Sequence, residues 1–243
     1  MDTSQRFAQL LEYVESKQNV KYSVFASIAF AIVEAFDCLP HEISFIWTAK
    51  WNLGKILYLI SRYLALLEVL GPAWIYGVWP DLSVGACQRI FASGSALTVV
   101  GVTVAEAILF LRVYALGGTN RKLGAFLLAL YLGIHGAVYA CLYKFLNSII
   151  YTPSPFPDLV PCHPVKGNSH MLSVVFILLL VSELVILVIT FWIFFTKYKS
   201  SNSPLLTTFS RDGLSYFVLL SVVSTGNIIC NLVAPVRGSF TPS

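Results

Sequence analysis

Residues 87–122 read CQRIFASGSALTVVGVTVAEAILFLRVYALGGTNRK, and the reading of this stretch decides the fold. From Gln88 to Leu111 it is mostly apolar, with one buried-looking acid, Glu106. About 20 such residues in a helix cover the ~30 Å of hydrocarbon in a bilayer. The stretch opens on a lone Cys87 and closes on a basic run, Arg112, Arg121 and Lys122. That is the pattern of a membrane-spanning helix with a cysteine at one end and cations at the other.

Composition places the rest of the chain in the same solvent. Of 243 residues, 57% are hydrophobic and only 12% charged, with a mean hydropathy of +0.75. A soluble domain of this length needs more charge on its surface, so lipid surrounds much of the chain. The net charge of +4 is spread over loops, leaving no nucleic-acid footprint and no nucleic-acid partner to expect. The five cysteines lack CxxC spacing, and His163 and His170 near Cys162 do not make a metal set, so no metal and no cofactor is expected. There is no HExxH, no GxSxG elbow and no phosphate loop. The expectation is a protein that is not an enzyme. Asp2, Glu12 and Glu15 with no apolar core exclude a cleaved signal peptide in the first 20 residues.

Six apolar segments follow a polar N-terminal tail (1–19): 20–38, 54–79, 88–112, 123–143, 171–196 and 213–235. A short tail, 236–243, closes the chain. The apolar runs are continuous rather than alternating, which indicates helices and not a barrel. The fold class is therefore all-α, an integral membrane helical bundle with six predicted transmembrane helices and receptor-like threading. In the tail, Phe7, Leu10, Leu11 and Val14 keep helical spacing. Both a short surface helix and a frayed segment fit that pattern.

Cations set the orientation. Around the loops after segments one, three and five lie Lys50, Lys55, Arg112, Arg121, Lys122, Lys197, Lys199 and Arg211. Around the loops after segments two and four lie only Arg89, Lys144 and Lys166. Cytoplasmic loops collect Lys and Arg, so the N-terminus is expected outside, in the plasma membrane or a membrane of the secretory pathway. Cys87 and Cys162 then both face an oxidising compartment, where a disulfide between them is expected. In the first inner loop, Trp47, Lys50, Trp51 and Lys55 mix aromatics with cations and read as an interfacial anchor.

Polar residues at membrane depth are the candidate sites. Counting from the inner ends at 1.5 Å per residue, Arg62 lies about 12 Å in, Glu106 about 9 Å and Glu34 about 6 Å. An unpaired charge is expensive there, so an Arg62–Glu106 ion pair is expected, with Glu34 as the competing partner. Glu68 and Glu183 lie about 20 Å in, near the level of Asn227. With Asn231 they form a candidate ligand or ion belt; interhelical hydrogen bonding explains the same residues equally well. His135, beside Gly133 and Gly136, reads as a packing contact in preference to a proton relay. Gly101 and Ala105 form a small-xxx-small pair, and Gly71-Pro72 should kink the second helix.

Three stretches resemble a known family. Residues 24–70, above all EISFIWTAKWNLGK (42–55) with Ser61-Arg62-Tyr63-Leu64, are similar to that family's acid, its aromatic-basic "IWKRKW" run, its "GK" and its "NRYL". Glu106-Ala107-Ile108-Leu109 with Leu111 to Leu116 resembles its "EAILxLRVYAL". Arg211-Asp212-Gly213 with Tyr216-Phe217 and Asn227 to Pro235 is similar to its "RDxxxYF…N…AP". The family is the basidiomycete (fungal) group of seven-helix membrane proteins carrying domain of unknown function 6533. The resemblance implies an N-out, receptor-like bundle with Cys87 and Cys162 in the two outer cysteine positions, and it implies no established activity. The family continues past Ala234-Pro235 into a seventh helix, where this chain ends at Ser243. A truncation before that helix is therefore expected, with a homo- or hetero-oligomer covering the face left open.

Together these readings give a multi-pass membrane protein, receptor-like and non-enzymatic, sensing an extracellular small molecule, with the lipid bilayer as its constant partner. The competing readings are a transporter or channel using the acidic and amide belt, and a scaffold or non-functional paralogue.

Overall fold

The computed structural model describes residues 3–73, 83–153 and 162–198, with isolated positions 219, 222, 223, 225, 226 and 229. Five long helices account for most of these: α1 (Thr3–His41), α2 (Leu53–Ala73), α3 (Val84–Leu116), α4 (Arg121–Ser148) and α5 (Ser169–Ile193). A two-stranded antiparallel ribbon, β1 (Ile150–Pro153) and β2 (Cys162–Lys166), lies between α4 and α5 in sequence. The segment 213–235 falls outside the described residues, apart from those isolated positions.

Four described helical stretches are long and apolar enough to cross a membrane: Gln18–Trp47, Val84–Leu116, Arg121–Ser148 and His170–Thr196. The expected second span is not among them. That segment, 54–79, runs past Ala73 beyond the described residues; its described part, α2, carries Lys55, Arg62 and Glu68. The kink expected at Gly71-Pro72 would fall in the last described turn of α2, which ends at Ala73.

The N-terminus differs from expectation. Residues 3–19 are not a separate tail but the first turns of α1, which runs unbroken for 39 residues. Its sequence holds no Gly and no Pro before Pro40, so nothing interrupts the hydrogen-bond ladder. At Pro40 the ladder loses a donor, and a π-helical turn, Glu42–Trp47, follows directly. A second π-turn, Phe194–Tyr198, continues α5.

The described residues fall into two compact units, divided at Val104/Ala105 within α3, at Ser148/Ile149 and at Gly167/Asn168. In the first unit, α1 packs on α2. The ribbon is tied to the start of α3 by the Cys87–Cys162 disulfide, with Cα atoms 6.4 Å apart, inside the usual range. The expected bridge is therefore present. Phe91 of α3 meets Tyr151 of β1 at 6.0 Å between ring centres. Cys38 and Cys141 are unbridged, and Cys230 lies outside the described residues.

In the second unit, Leu109, Phe110 and Val113 of α3, Leu127 of α4 and Ile186 and Ile193 of α5 make the core. The α3–α4 connection is tight. Gly118 and Thr119 both take positive φ, 77° and 55°, which is natural for glycine and strained for a β-branched residue. Tyr114 holds the turn by donating its hydroxyl to the Thr119 carbonyl (3.1 Å), and Asn120 Oδ1 accepts from the Lys122 amide (2.9 Å) at the start of α4.

Large apolar side chains point away from both cores. Phe30 is 74% exposed and Phe36 71% exposed on α1, and Leu128 and Leu132 face outward on α4. Apolar surface repeated along whole helices suits lipid rather than water.

Candidate functional site

Two polar clusters stand out, one in each unit. The first is built where α1 turns into α2. Glu42 is buried, although it opens the π-turn, because its carboxylate is an acceptor hub. Its Oε1 accepts from Tyr63 Oη at 2.8 Å and from Trp47 Nε1 at 3.2 Å, and its Oε2 lies 3.9 Å from Arg62 Nε. Arg62 also donates through Nη1 to Glu34 Oε1 at 2.7 Å and through Nη2 to the Glu34 carbonyl at 3.2 Å. One guanidinium thereby ties α2 to α1 at two levels, as its fork of donors allows.

This arrangement corrects the expected Arg62–Glu106 pair. Arg62 takes Glu34, the competing partner, together with Glu42. The physical reason is proximity in sequence: consecutive helices α1 and α2 pack on each other and bring Glu34 to Arg62 across the turn.

Lys55 is a second correction. It is buried, and its Nζ donates to the carbonyls of Trp47 (3.0 Å) and Ala49 (2.8 Å). Those carbonyls end the π-turn and have no further helix to pair with, so Lys55 caps them from the first turn of α2. Its Nζ also lies 4.5 Å from the centre of the Trp51 ring. Lys55 therefore does not reach lipid headgroups, whereas Trp47, Lys50 and Trp51 are exposed as an interfacial anchor requires. Asn52 completes the turn by accepting the Lys55 amide on Oδ1 at 2.8 Å.

The second cluster lies among α3, α4 and α5. Glu106, His135 and Ser182 are 3%, 4% and 1% exposed. Ser182 donates its hydroxyl to Glu106 Oε2 at 2.5 Å, and His135 Nε2 lies 3.5 Å from the same oxygen. Glu106 Oε1 has no hydrogen-bond partner among the described residues. The His135 ring meets Tyr131 edge-on at 4.3 Å, and Tyr131 meets Phe110 at 5.2 Å. Glu106 thus finds its partners inside its own unit.

His135 is more than the packing contact expected of it. The signal was in the spacing: Leu127, Tyr131, His135, Val138, Leu142 and Phe145 recur every three or four residues on the inward face of α4. Ser182 carried no such mark beyond its place beside Glu183.

Of the expected belt, Glu68 and Glu183 are among the described residues. Glu68 belongs to the first unit and is half-buried; its carboxylate occupies the space that a side chain at Gly101 would fill. Glu183 is buried in the second unit. Asn227 and Asn231 lie outside the described residues. The small residue at Gly101 therefore admits a carboxylate rather than a bare backbone.

The chemistry of the two clusters differs. The first is fully partnered at Glu42 and Arg62 and suits a structural clamp. The second holds a buried acid, a base and a hydroxyl in contact, with one carboxylate oxygen left over. Among the described residues no three His, Cys, Asp or Glu side chains gather as a metal set. No curated protein and no solved structure matches the chain. The first cluster, however, falls wholly inside residues 22–67, which match the model of DUF6533, described as a family of unknown function, and over those residues the chain carries that domain.

Proposed function

We propose that the chain is a receptor-like, non-enzymatic membrane protein with six spans and its N-terminus outside, sensing a small molecule from the outer face. The observation that carries the reading is α3. Its cysteine is oxidised at one end, near Arg89, and Arg112 lies toward the other, with Arg121 and Lys122 following at the start of α4. Cys87 and Arg112 are 25 residues apart, about 37 Å along a helix, more than the hydrocarbon thickness. A disulfide belongs to an oxidising compartment, and Arg112, Arg121 and Lys122 belong to the opposite side. On this threading the Cys87–Cys162 ribbon lies on the outer side of the membrane, and the DUF6533 turn lies at the inner surface with Trp47, Lys50 and Trp51 in the headgroup layer.

The test of threading is labelling of single cysteines introduced beside Lys122 and beside Gly167 in intact cells. An impermeant reagent should reach the second and not the first; the reverse would end the reading. Ligand sensing is tested by a spin label on the Gly117–Asn120 turn, screened against small-molecule pools added from outside. A label indifferent to every pool removes the sensing part.

Buried Glu183 and half-buried Glu68 favour a second reading, a transporter or channel. Flux in proteoliposomes that is abolished by Glu183→Gln would support it, and flux indifferent to that substitution would remove the carboxylate from the path.

A further inference from the structure

We propose that Glu106 and His135 form a proton-binding site in which the two side chains share one exchangeable proton, and that its occupancy governs how tightly α3 packs on α4 and α5. Nothing in the receptor or transporter readings requires this, and it stands on the second unit alone. Three observations carry it. Both groups are at least 96% buried, among Phe110, Tyr131 and the apolar core. They approach on one oxygen, Glu106 Oε2, at 3.5 Å, an ion-pair distance that a small shift of the imidazole would close to a hydrogen bond. The other oxygen, Oε1, has no hydrogen-bond partner among the described residues.

Electroneutrality does the rest. A carboxylate with a bare oxygen is costly in an apolar interior, and so is an imidazolium without an anion. With one proton between them the pair is neutral in both of its forms: carboxylic acid beside imidazole, or carboxylate beside imidazolium. The step between the forms breaks the Oε2–H bond and makes the Nε2–H bond, and it needs no other reactant. Removing the proton leaves a net negative charge, and adding a second leaves a net positive one. Either change buries an uncompensated charge at the junction of three helices, which relaxes only if the helices part and admit water.

Ser182 tunes the site. Its hydroxyl donates to Oε2 at 2.5 Å and can instead accept when that oxygen carries the proton, so it follows the proton without leaving its place. Among the described residues, Tyr131 on α4 lies in electrostatic reach of both Glu106 and Tyr139, and buried Glu183 follows Ser182 in the sequence of α5. Glu183 is the group whose own charge would bias the pair, and Glu183→Gln serves as its control.

The experiment follows the full chain in lipid nanodiscs between acid and alkaline pH by infrared spectroscopy and thermal unfolding together. Wild type should show a single-proton change in a carboxylic-acid carbonyl band, with a matching step in melting temperature. Glu106→Gln and His135→Gln should each abolish both. Glu183→Gln should leave the step in place with a displaced midpoint. Persistence of band and step in either Glu106→Gln or His135→Gln overturns the site, as does their loss in Glu183→Gln. Should both principal variants fail to fold, Ser182→Ala decides. It must move the frequency of the titrating band, because Ser182 is bonded to the same oxygen; an unmoved band overturns the proposal.

Discussion

At the scale of the residue, Gly101 shows what a small side chain makes room for. Its expected role was to let two helix backbones approach. Instead, the space its missing Cβ would fill holds the carboxylate of Glu68, with Leu64 beside it. Gly101→Ala should therefore cost stability through overpacking, about 1–3 kcal/mol. The same change in a Glu68→Ala background should cost less than about 1 kcal/mol, since the colliding group is gone. Unfolding of the four proteins in detergent closes the cycle, and equal losses in both backgrounds would show that Glu68 does not occupy that space. The sequence marked both residues without joining them, because a small-xxx-small spacing names a close approach and not the group that approaches. The same limit explains Arg62. Depth along a helix put Arg62 and Glu106 at similar levels, but depth says nothing of which carboxylate a side chain meets, and Arg62 meets Glu34 of α1.

At the scale of the element, the α1–α2 hairpin explains why its sequence looks as it does. An acid, a tryptophan, a lysine and an Arg-Tyr pair are spaced over 42–63, and each has a place in one network: Glu42 accepts, Trp47 and Tyr63 donate to it, Arg62 joins it to Glu34, and Lys55 caps the π-turn. The resemblance of this stretch to a family was legible in sequence. The division of labour between its lysines was not. Lys50 and Lys55 look alike in the chain, and only the path of the turn makes one exposed and the other buried. Lys55→Met keeps the length of the side chain and removes the charge-assisted bonds to two carbonyls, at a cost of about 1.5–3 kcal/mol. The turn should loosen, with faster amide hydrogen exchange over 46–52 and a changed Trp51 fluorescence. Lys50→Met, whose parent is exposed, should change neither. An indifferent Lys55→Met would mean that the carbonyls are capped by other means.

At the scale of the whole molecule, helices and their solvent were legible in the sequence because continuous apolar runs admit few other answers, and the bridge was legible because threading put two cysteines on one side. The number of spans was less so. The expected second span runs past Ala73 beyond the described residues, and in its described part the charges of Lys55 and Arg62 are satisfied within the hairpin. The bridge is where global stability is most open to measurement. Cys87 and Cys162 are 75 residues apart in sequence, and closing a loop of that length removes chain entropy from the unfolded state equivalent to about 4 kcal/mol. That figure is an upper value here, since on the proposed threading the spans between the two cysteines remain inserted when packing is lost and so never explore the full freedom of a coil. Reduction, or Cys87→Ser with Cys162→Ser, should therefore lower the melting temperature by less than the coil value implies. It should act first on the ribbon: amides of 150–153 and 162–166 should lose protection while those of α4 and α5 keep theirs, because the second unit has its own core. Exchange measured before and after reduction checks this directly. Equal loss of protection in both units would mean that the bridge holds the entire bundle rather than its outer edge.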